Sequence, residues 1–426
     1  MFDIRSSNSS RGVAVMNDTP RGERLHIAVL GRRNAGKSSL INALTNQSVA
    51  IVSPVSGTTT DPVYKSMEIL PIGPVVLIDT AGVDDLGELG ELRVTKTMAV
   101  LDKADILILV IDPGQTPGEY EEDLLSRARE KSLPVIGVLN KWDLYPTTLP
   151  QSLVEKLGIS LIPVSSVTGE GMEQLTRALV AAAPHRELPA TILGDLIQPG
   201  DAVLLVTPID QGAPKGRLIL PQVQTIRDIL DHGAYAVVTG EKGLAEVWQN
   251  QIKKPRLVIT DAQIFAQVSR IIPPDTMLTA FSILFARYKG DLEVLAAGVQ
   301  GIAALQPGDK VLIAEACTHH RVEDDIGRVK IPQMLRRRVG GELDFHWASG
   351  SSLPEDLLGY KLIVHCGGCM INRREMLQRI ARVGVAGIPI VNYGILMAYF
   401  SGILNRALEP ILEVRCSKFE IRNQNQ

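Results

Sequence analysis

Short apolar runs recur along the chain, and between many of them the apolar positions switch to a helical spacing. In the first part the runs are 26–30, 75–78, 135–139 and 161–164, with helical patterns over 39–44 and 172–182. A second series has runs at 202–206, 234–238 and 257–259, separated by helical patterns over 223–232 and 244–252. A third has runs at 311–314, 343–347, 362–364 and 388–391, with helices over 376–383 and 396–404. Runs too short for buried helices, alternating with helical patterns, are what a mainly parallel sheet covered on both faces requires. The expected fold is therefore α/β throughout, a larger first domain followed by two smaller ones with mostly parallel sheets. The boundaries expected are a flexible N-terminal tail over 1–24, rich in Ser, Asn, Arg and Gly, then domains at 25–185, 190–273 and 274–426. The first boundary falls where Pro184, His185 and Arg186 interrupt the helical pattern. The tetrapeptide Gln198-Pro199-Gly200-Asp201 opens one apolar run and Gln306-Pro307-Gly308-Asp309 opens another. The repetition reads as recurring turn chemistry rather than duplication.

The chain of 426 residues has room for two or three cores. A net charge of -3 gives no general attraction to nucleic acid, and an aromatic content of 4% offers few base-stacking platforms. The apolar stretches fall short of a membrane span and no signal peptide is visible, so a cytoplasmic protein without membrane or nucleic-acid partners is expected. Four cysteines in so long a chain argue against a disulfide framework.

The chemistry begins with Gly31-Arg32-Arg33-Asn34-Ala35-Gly36-Lys37-Ser38, a phosphate-binding GxxxxGKS loop lying between a strand and a helix. Its glycines let successive N–H groups face phosphate oxygens. Lys37 reaches the β- and γ-phosphates, and the Ser38 hydroxyl holds Mg2+. Four further pieces follow in order. The Thr-rich loop Ser56 to Asp61 can close a hydroxyl onto Mg2+ and the γ-phosphate. In Asp79-Thr80-Ala81-Gly82 the acid suits an outer-shell Mg2+ partner and Gly82 can offer its N–H to the γ-phosphate. In Asn140-Lys141-Trp142-Asp143 the final carboxylate can take two hydrogen bonds from guanine, a pair of donors that adenine lacks. Ser165 and Ser166 complete a loop at the base edge, and Ser39 follows the phosphate loop into its helix. Five ordered pieces, each at a strand end, make the first domain a P-loop GTP-binding domain.

Three of the four cysteines stand at the ends of two later runs, in Cys317-Thr318-His319-His320 and His365-Cys366-Gly367-Gly368-Cys369. The CxxC spacing lets two thiolates hold one metal centre, and the glycines free backbone N–H groups for hydrogen bonds to sulfur. Cys317, His319, Cys366 and Cys369 would make a zinc site; three thiolates without a fourth would suit a [4Fe-4S] cluster with one exchangeable iron. Spacing leaves the two alternatives even.

GRRNAGKSS, GTTTD, DTAG and NKWD resemble the translation-factor-type GTPases related to Era and MnmE. The resemblance implies Thr59 as the Mg2+ ligand and Asn34 as a K+ ligand beside the phosphates. It makes Lys37, Thr59, Asp79 and Gly82 the catalytic set. This chain departs from the pattern at Thr60, where Arg is usual. Val83 stands where Ras-type enzymes carry the water-orienting Gln; Glu88 and Glu91 are weak substitutes, read first as a solvated loop.

A GTPase domain followed by CxH and HCxxC is similar to the HydF family, the maturation GTPases of [FeFe]-hydrogenase, over about residue 26 to the C-terminus. The resemblance implies a [4Fe-4S] cluster on Cys317, Cys366 and Cys369, and a homodimer formed through the middle domain. It further implies a scaffold that carries a transient diiron subcluster, with HydE-like and HydG-like radical-SAM maturases and the apo-hydrogenase HydA as partners. His319 and His365 match motif histidines, as a labile fourth ligand or as support. Glu413 is a further candidate for the fourth position, ahead of Glu409 and Cys416. Arg328, Lys330, Arg336, Arg337 and Arg338 read as a solvated helix face, or as a positive rim for anionic cargo. An RNA-associated GTPase with a structural zinc domain is the alternative function class. It lacks support from a KH-type GxxG module or a basic stripe.

Overall fold

The computed structural model describes residues 19–47, 62–80, 97–145, 151–183, 191–208, 218–316, 325–350, 353–354 and 356–412. The chain divides into two compact units between His185 and Arg186.

The first unit runs β1 (Leu25–Leu30), α1 (Lys37–Gln47), β2 (Val63–Ile69), β3 (Gly73–Asp79), β4 (Ile106–Ile111), α2 (Glu119–Glu130), β5 (Val135–Leu139), α3 (Gln151–Leu157), β6 (Leu161–Pro163) and α4 (Met172–Ala182). Its six-stranded sheet has the order β2-β3-β1-β4-β5-β6. All neighbours are parallel except β2, which pairs antiparallel with β3 at the edge. Alternate residues of one strand feed two separate cores: Ile27 and Val29 pack on one face, Ala28 and Leu30 on the other. β4 repeats this with Ile106, Ile108 and Val110 against Leu107, Leu109 and Ile111. Burial on both faces is why these strands read as unbroken apolar runs. Of the tail expected over 1–24, residues 1–18 lie outside the described residues, and the expectation fails at its C-terminal end. Residues 21–23 form a 3-10 turn with Gly22 buried, and the Arg21 guanidinium lies 3.2 Å from the centre of the Tyr64 ring.

The second unit holds two four-stranded parallel sheets. The first runs β7 (Ala202–Val206), α5 (Leu220–Asp231), β8 (Tyr235–Thr239), α6 (Leu244–Gln249), β9 (Leu257–Thr260), α7 (Phe265–Ile271), β10 (Met277–Ala280) and α8 (Phe281–Lys289). After α9 (Leu292–Ala297) and α10 (Val299–Ala304) the pattern begins again. It continues with β11 (Lys310–Glu315), α11 (Ile331–Val339), β12 (Asp344–Ser349), β13 (Tyr360–His365), α12 (Arg373–Val385), β14 (Ile390–Asn392) and α13 (Tyr393–Phe400). The sheet orders, β10-β9-β7-β8 and β12-β11-β13-β14, are the same topology read in opposite directions.

These are two copies of one supersecondary unit, so the reading of the QPGD repeat as mere turn chemistry is corrected. Both turns place Gly in the left-handed region, at φ 81° for Gly200 and 89° for Gly308. Each is closed by the Asp N–H to the Gln carbonyl, at 3.0 and 3.1 Å. In each, the Asp carboxylate accepts from the Gln N–H, at 2.9 and 2.8 Å. Both first helices open on a Pro-Gln pair, Pro221-Gln222 and Pro332-Gln333. Both last helices begin directly after the fourth strand, and Phe281-Ser282-Ile283-Leu284-Phe285-Ala286 aligns with Tyr393-Gly394-Ile395-Leu396-Met397-Ala398. The copies differ in the second crossover, where α6 has no counterpart among the described residues between β12 and β13.

The division expected at 273/274 is also corrected. It separates β9 from β10, which pair residue for residue from Leu257 with Met277 to Thr260 with Ala280. One hydrophobic core runs through both sheets, from Ile192 to Ile411. The stretch 404–412, helical in the structure, returns to the first copy, where Thr279 Oγ1 donates to the Ala407 carbonyl at 2.8 Å.

The two copies meet through α8 and α13. Asn392 caps α13 through Oδ1 to the Ile395 N–H at 2.8 Å, and its Nδ2 donates to the Ser282 carbonyl at 2.9 Å. A Cβ at Gly394 would lie 2.0 Å from Ser282 Oγ and 2.8 Å from Ser282 Cβ. Rotating the hydroxyl away therefore leaves a clash. Gly394→Ala is expected to destabilise the second unit by about 1–3 kcal/mol, the usual cost of overpacking. Adding Ser282→Gly should recover part of the loss, a coupling that a calorimetric double-mutant cycle would measure.

Candidate nucleotide and metal sites

The P-loop is the turn between β1 and α1. Its backbone enters the left-handed region at Asn34 (φ 62°) and Gly36 (φ 89°). A Cβ at Gly36 would also fall 2.2 Å from Asn140 Nδ2, so space and conformation both demand glycine. α1 begins at Lys37, and its N-terminal N–H groups suit anionic phosphate. Lys37 is buried, its ammonium donating to the carbonyls of Gly31 and Arg32 at 2.9 Å each. Ser38 and Ser39 are exposed, as is Asn34, while Ala35 is buried. β3 runs beside β1, with Asp79 in register with Val29. This brings Asp79 Oδ2 within 2.7 Å of Ser38 Oγ, which donates to it. Asp79 Oδ1 is buried with no hydrogen-bond partner. A buried carboxylate oxygen without a donor is costly, and a divalent cation beside Ser38 and Asp79 satisfies it. The donor set fits Mg2+.

At the base end, Asn140 is buried after β5; its Nδ2 donates to the Ala35 carbonyl at 3.0 Å and its Oδ1 accepts from Ser166 Oγ at 2.8 Å. Ser165 Oγ donates to Asp143 Oδ1 at 2.6 Å, and Asp143 is exposed. Thus the phosphate loop, the NKWD loop and the serine loop form one hydrogen-bonded frame. Lys141, at φ 59°, pairs with Asp112 Oδ2 at 2.7 Å. Arg32 of the P-loop makes a two-pronged pair with Glu121, at 2.8 and 2.9 Å, and Glu121 also accepts the Gly118 N–H at 2.8 Å. Asp112 and Glu121 were missed because both follow β4, a strand whose end carries no nucleotide motif. Thr59 and Gly82, with Thr60, Val83, Glu88 and Glu91, lie outside the described residues.

In the second unit, β11 and β13 are adjacent central strands, and the cysteine motifs leave their C-terminal ends. With β12 beyond one and β14 beyond the other, this is the point where strand order reverses, the usual crevice of an open parallel sheet. Cys366 and Cys369 are both half-buried. The Ala316 N–H, one residue before Cys317, donates to Cys366 Sγ at 3.1 Å. Burial pushes the Cys366 thiol up, against the backbone N–H groups of Ala316 and Gly368, which favour the thiolate. Gly368 turns at φ 64°, and a Cβ at Gly367 would meet nothing within 4 Å, so the loop is open on that side. A soft cation that replaces the proton gains from the same N–H donors, so the loop fits a thiolate-bound metal. Among the described residues no three candidate ligands converge. Cys317, His319, Glu413 and Cys416 lie outside them.

His365 is fully buried and faces away from ligation. Arg379 Nη1 is always a donor, so its 3.1 Å bond makes His365 Nε2 the acceptor and leaves the proton on Nδ1, which donates to the Cys366 carbonyl at 2.7 Å. Burial first, and the Arg379 charge second, lower the His365 pKa to about 4. Arg379 is itself held by Glu375 at 3.0 Å and by the Gly350 carbonyl at 2.7 Å. Several of the basic residues are occupied too: Arg328 stacks over Trp347, Lys330 donates to Gln263 and Arg336 to Glu342. Glu409 is exposed.

Three family models match the chain. Residues 26–141 match the 50S ribosome-binding GTPase model, 192–290 the hydrogen maturase F dimerization domain and 293–410 the hydrogen maturase F tetramerization domain. Among curated relatives, the tRNA modification GTPase MnmE of Nitrosomonas europaea is 38% identical over 162 residues, covering 38% of this chain and 35% of that protein. GTPase Der of Mycoplasmopsis pulmonis is 31% identical over 187 residues, covering 40% of this chain and 43% of Der. The matches thus span less than half the length of these relatives. Among solved structures, the G domain of the T. maritima FeoB iron transporter is 29% identical, covering 38% of this chain and 99% of that one at a TM-score of 0.30. The first unit is a P-loop GTPase domain.

Gly36→Ala should weaken nucleotide binding by roughly tenfold or more, the scale of one strained backbone position. Titration with a fluescent GDP analogue checks this, and the thiol count and fold of the second unit should be unchanged.

Proposed function

Since the chain belongs to the hydrogen maturase F family and carries a GTPase domain, we propose that it is a GTP-hydrolysing scaffold and carrier. In this reading it holds a [4Fe-4S] cluster on Cys317, Cys366 and Cys369 and assembles and delivers the diiron subcluster of the H-cluster to apo-[FeFe]-hydrogenase. The observation that carries the metal half is the Ala316 N–H donated to Cys366 Sγ across the β11–β13 strand ends.

On the GTPase side, Ser38 and Thr59 hold Mg2+, with Asp79 behind Ser38. Lys37 and the Gly82 N–H neutralise charge on the γ-phosphate, and Asn34 shares a K+ with the phosphates. An added cation there takes the task of an arginine finger, which matters in a chain with Val83 in place of a water-orienting Gln. Asp143, steadied by Ser165, accepts from guanine. On the metal side, Cys366 and Cys369 of one loop would hold the cluster together with Cys317. His365 props the Cys366 carbonyl, which leaves His319 and Glu413 as candidates for the fourth position. When bound, the cluster supplies an iron–sulfur anchor for the diiron cargo. The segments matched as dimerization and tetramerization domains support self-association, with HydE-like and HydG-like maturases and HydA as the other partners.

Iron and sulfide analysis with EPR, after anaerobic reconstitution, tests the assignment. Cys317→Ser, Cys366→Ser and Cys369→Ser should each lose the cluster and fail to mature hydrogenase while hydrolysing GTP normally. Cys416→Ser should keep its cluster; a Cys366→Ser protein that retained it and still matured hydrogenase would overturn the reading. Independently, K+ should accelerate hydrolysis more than Na+ at matched ionic strength, and Asn34→Ala should erase the difference. Equal rates in the two salts would remove Asn34 from that role.

A further inference from the structure

The cysteine loop of the second copy is gripped from the first. α8, the last helix of the first copy, ends at Lys289, whose side chain is almost fully buried at 2% exposure. Its ammonium donates to the carbonyls of Cys369 and Ile371, both at 3.0 Å. The grip is reciprocal: Arg373, at the start of α12, donates through Nη1 to the carbonyls of Tyr288 and Gly290, both at 3.1 Å. Each element thus places a cation on the backbone of the other, and Arg373 meets α8 at its C-terminus, where helix carbonyls lack partners within the helix. α8 is anchored in turn by the Arg287–Asp195 ion pair.

The repeat itself does not require a lysine here. With Phe281 equivalent to Tyr393, the counterpart of Lys289 is Ser401, at the end of the matching helix. Burying an ammonium is costly and needs a local reason. The cysteines supply one, because thiolates bound to a metal leave negative charge beside the loop, and Lys289 fixes a positive charge one carbonyl group from Cys369.

We propose that Lys289 is a positioning residue for the metal loop. It holds the Cys369 and Ile371 carbonyls so that Cys369 keeps ligand spacing to Cys366, and its charge offsets that of the thiolate-bound metal. It also joins the segment matched as the dimerization domain to the loop that carries two of the ligands. The proposal rests on reading Cys366 and Cys369 as metal ligands.

The test uses the full-length apoprotein with two readouts. The first is titration with Co2+ alone, followed by the thiolate-to-cobalt charge-transfer band. The second is the rate at which iodoacetamide alkylates Cys366 and Cys369, followed by peptide mass spectrometry. Lys289→Met keeps the apolar stem and removes the charge. It should weaken Co2+ binding roughly tenfold or more, the scale of one charge-assisted hydrogen bond, and, at a pH where both thiols are ionised, should speed alkylation of Cys369 several-fold. Lys289→Arg should restore most of both. If Lys289→Met disrupts the second unit, Lys289→Gln keeps a donor without the charge and carries the same expectation for Co2+. Wild-type Co2+ affinity in the neutral variants, or an equal loss in Lys289→Arg, overturns the proposal. If wild-type protein and Cys366→Ser give the same spectrum without a thiolate band, the metal reading fails instead. An alkylation rate at Cys369 unaffected by Lys289→Met would then sink the positioning role on its own.

Discussion

The second unit depends on one close approach, Gly394 of α13 against Ser282 of α8. Only a residue without a Cβ lets the two equivalent helices come this near, and their contact merges two small sheets into one apolar core. A four-stranded parallel layer must be covered on both faces, and here each copy supplies part of the other's cover. The cysteine loop inherits its surroundings from that arrangement. The helix that places Lys289 against Cys369 is the same helix that carries Ser282.

Much of the nucleotide site was legible because each of its pieces sits at the end of a buried strand. An apolar run followed by glycine and a polar or acidic residue marks both the structure and the chemistry. What could not be read was the bracing between pieces. Asp112 under Lys141 and Glu121 under Arg32 follow β4, whose residues Ile106 to Ile111 are a plain hydrophobic run with no motif behind it. Pairing across a sheet joins residues far apart in sequence, and local pattern carries no trace of it.

The duplication was half visible. Its QPGD turns are identical, but the stretches between β7 and α5 and between β11 and α11 differ in length and α6 has no partner among the described residues, so the two series fall out of step when read linearly. The signal that restores register is the Pro-Gln start of α5 and α11. The role of His365 was hidden for another reason. A histidine beside a cysteine is chemically a ligand candidate, and only the position of Arg379, on a helix one crossover away, shows which ring nitrogen holds the proton.

The shared core has a consequence for the cysteine loop when it is empty. In small metal-bound domains the apo chain is unfolded, and binding energy and folding energy are the same quantity. Here the apolar cluster from Ile192 to Ile411 holds the second unit together through residues other than the cysteines, with Cys366 only at its margin. A metal lost from the cysteine loop would therefore leave its thiols in place, on a structure that does not depend on it. A loop supported this way would keep its position whether or not a metal occupied it.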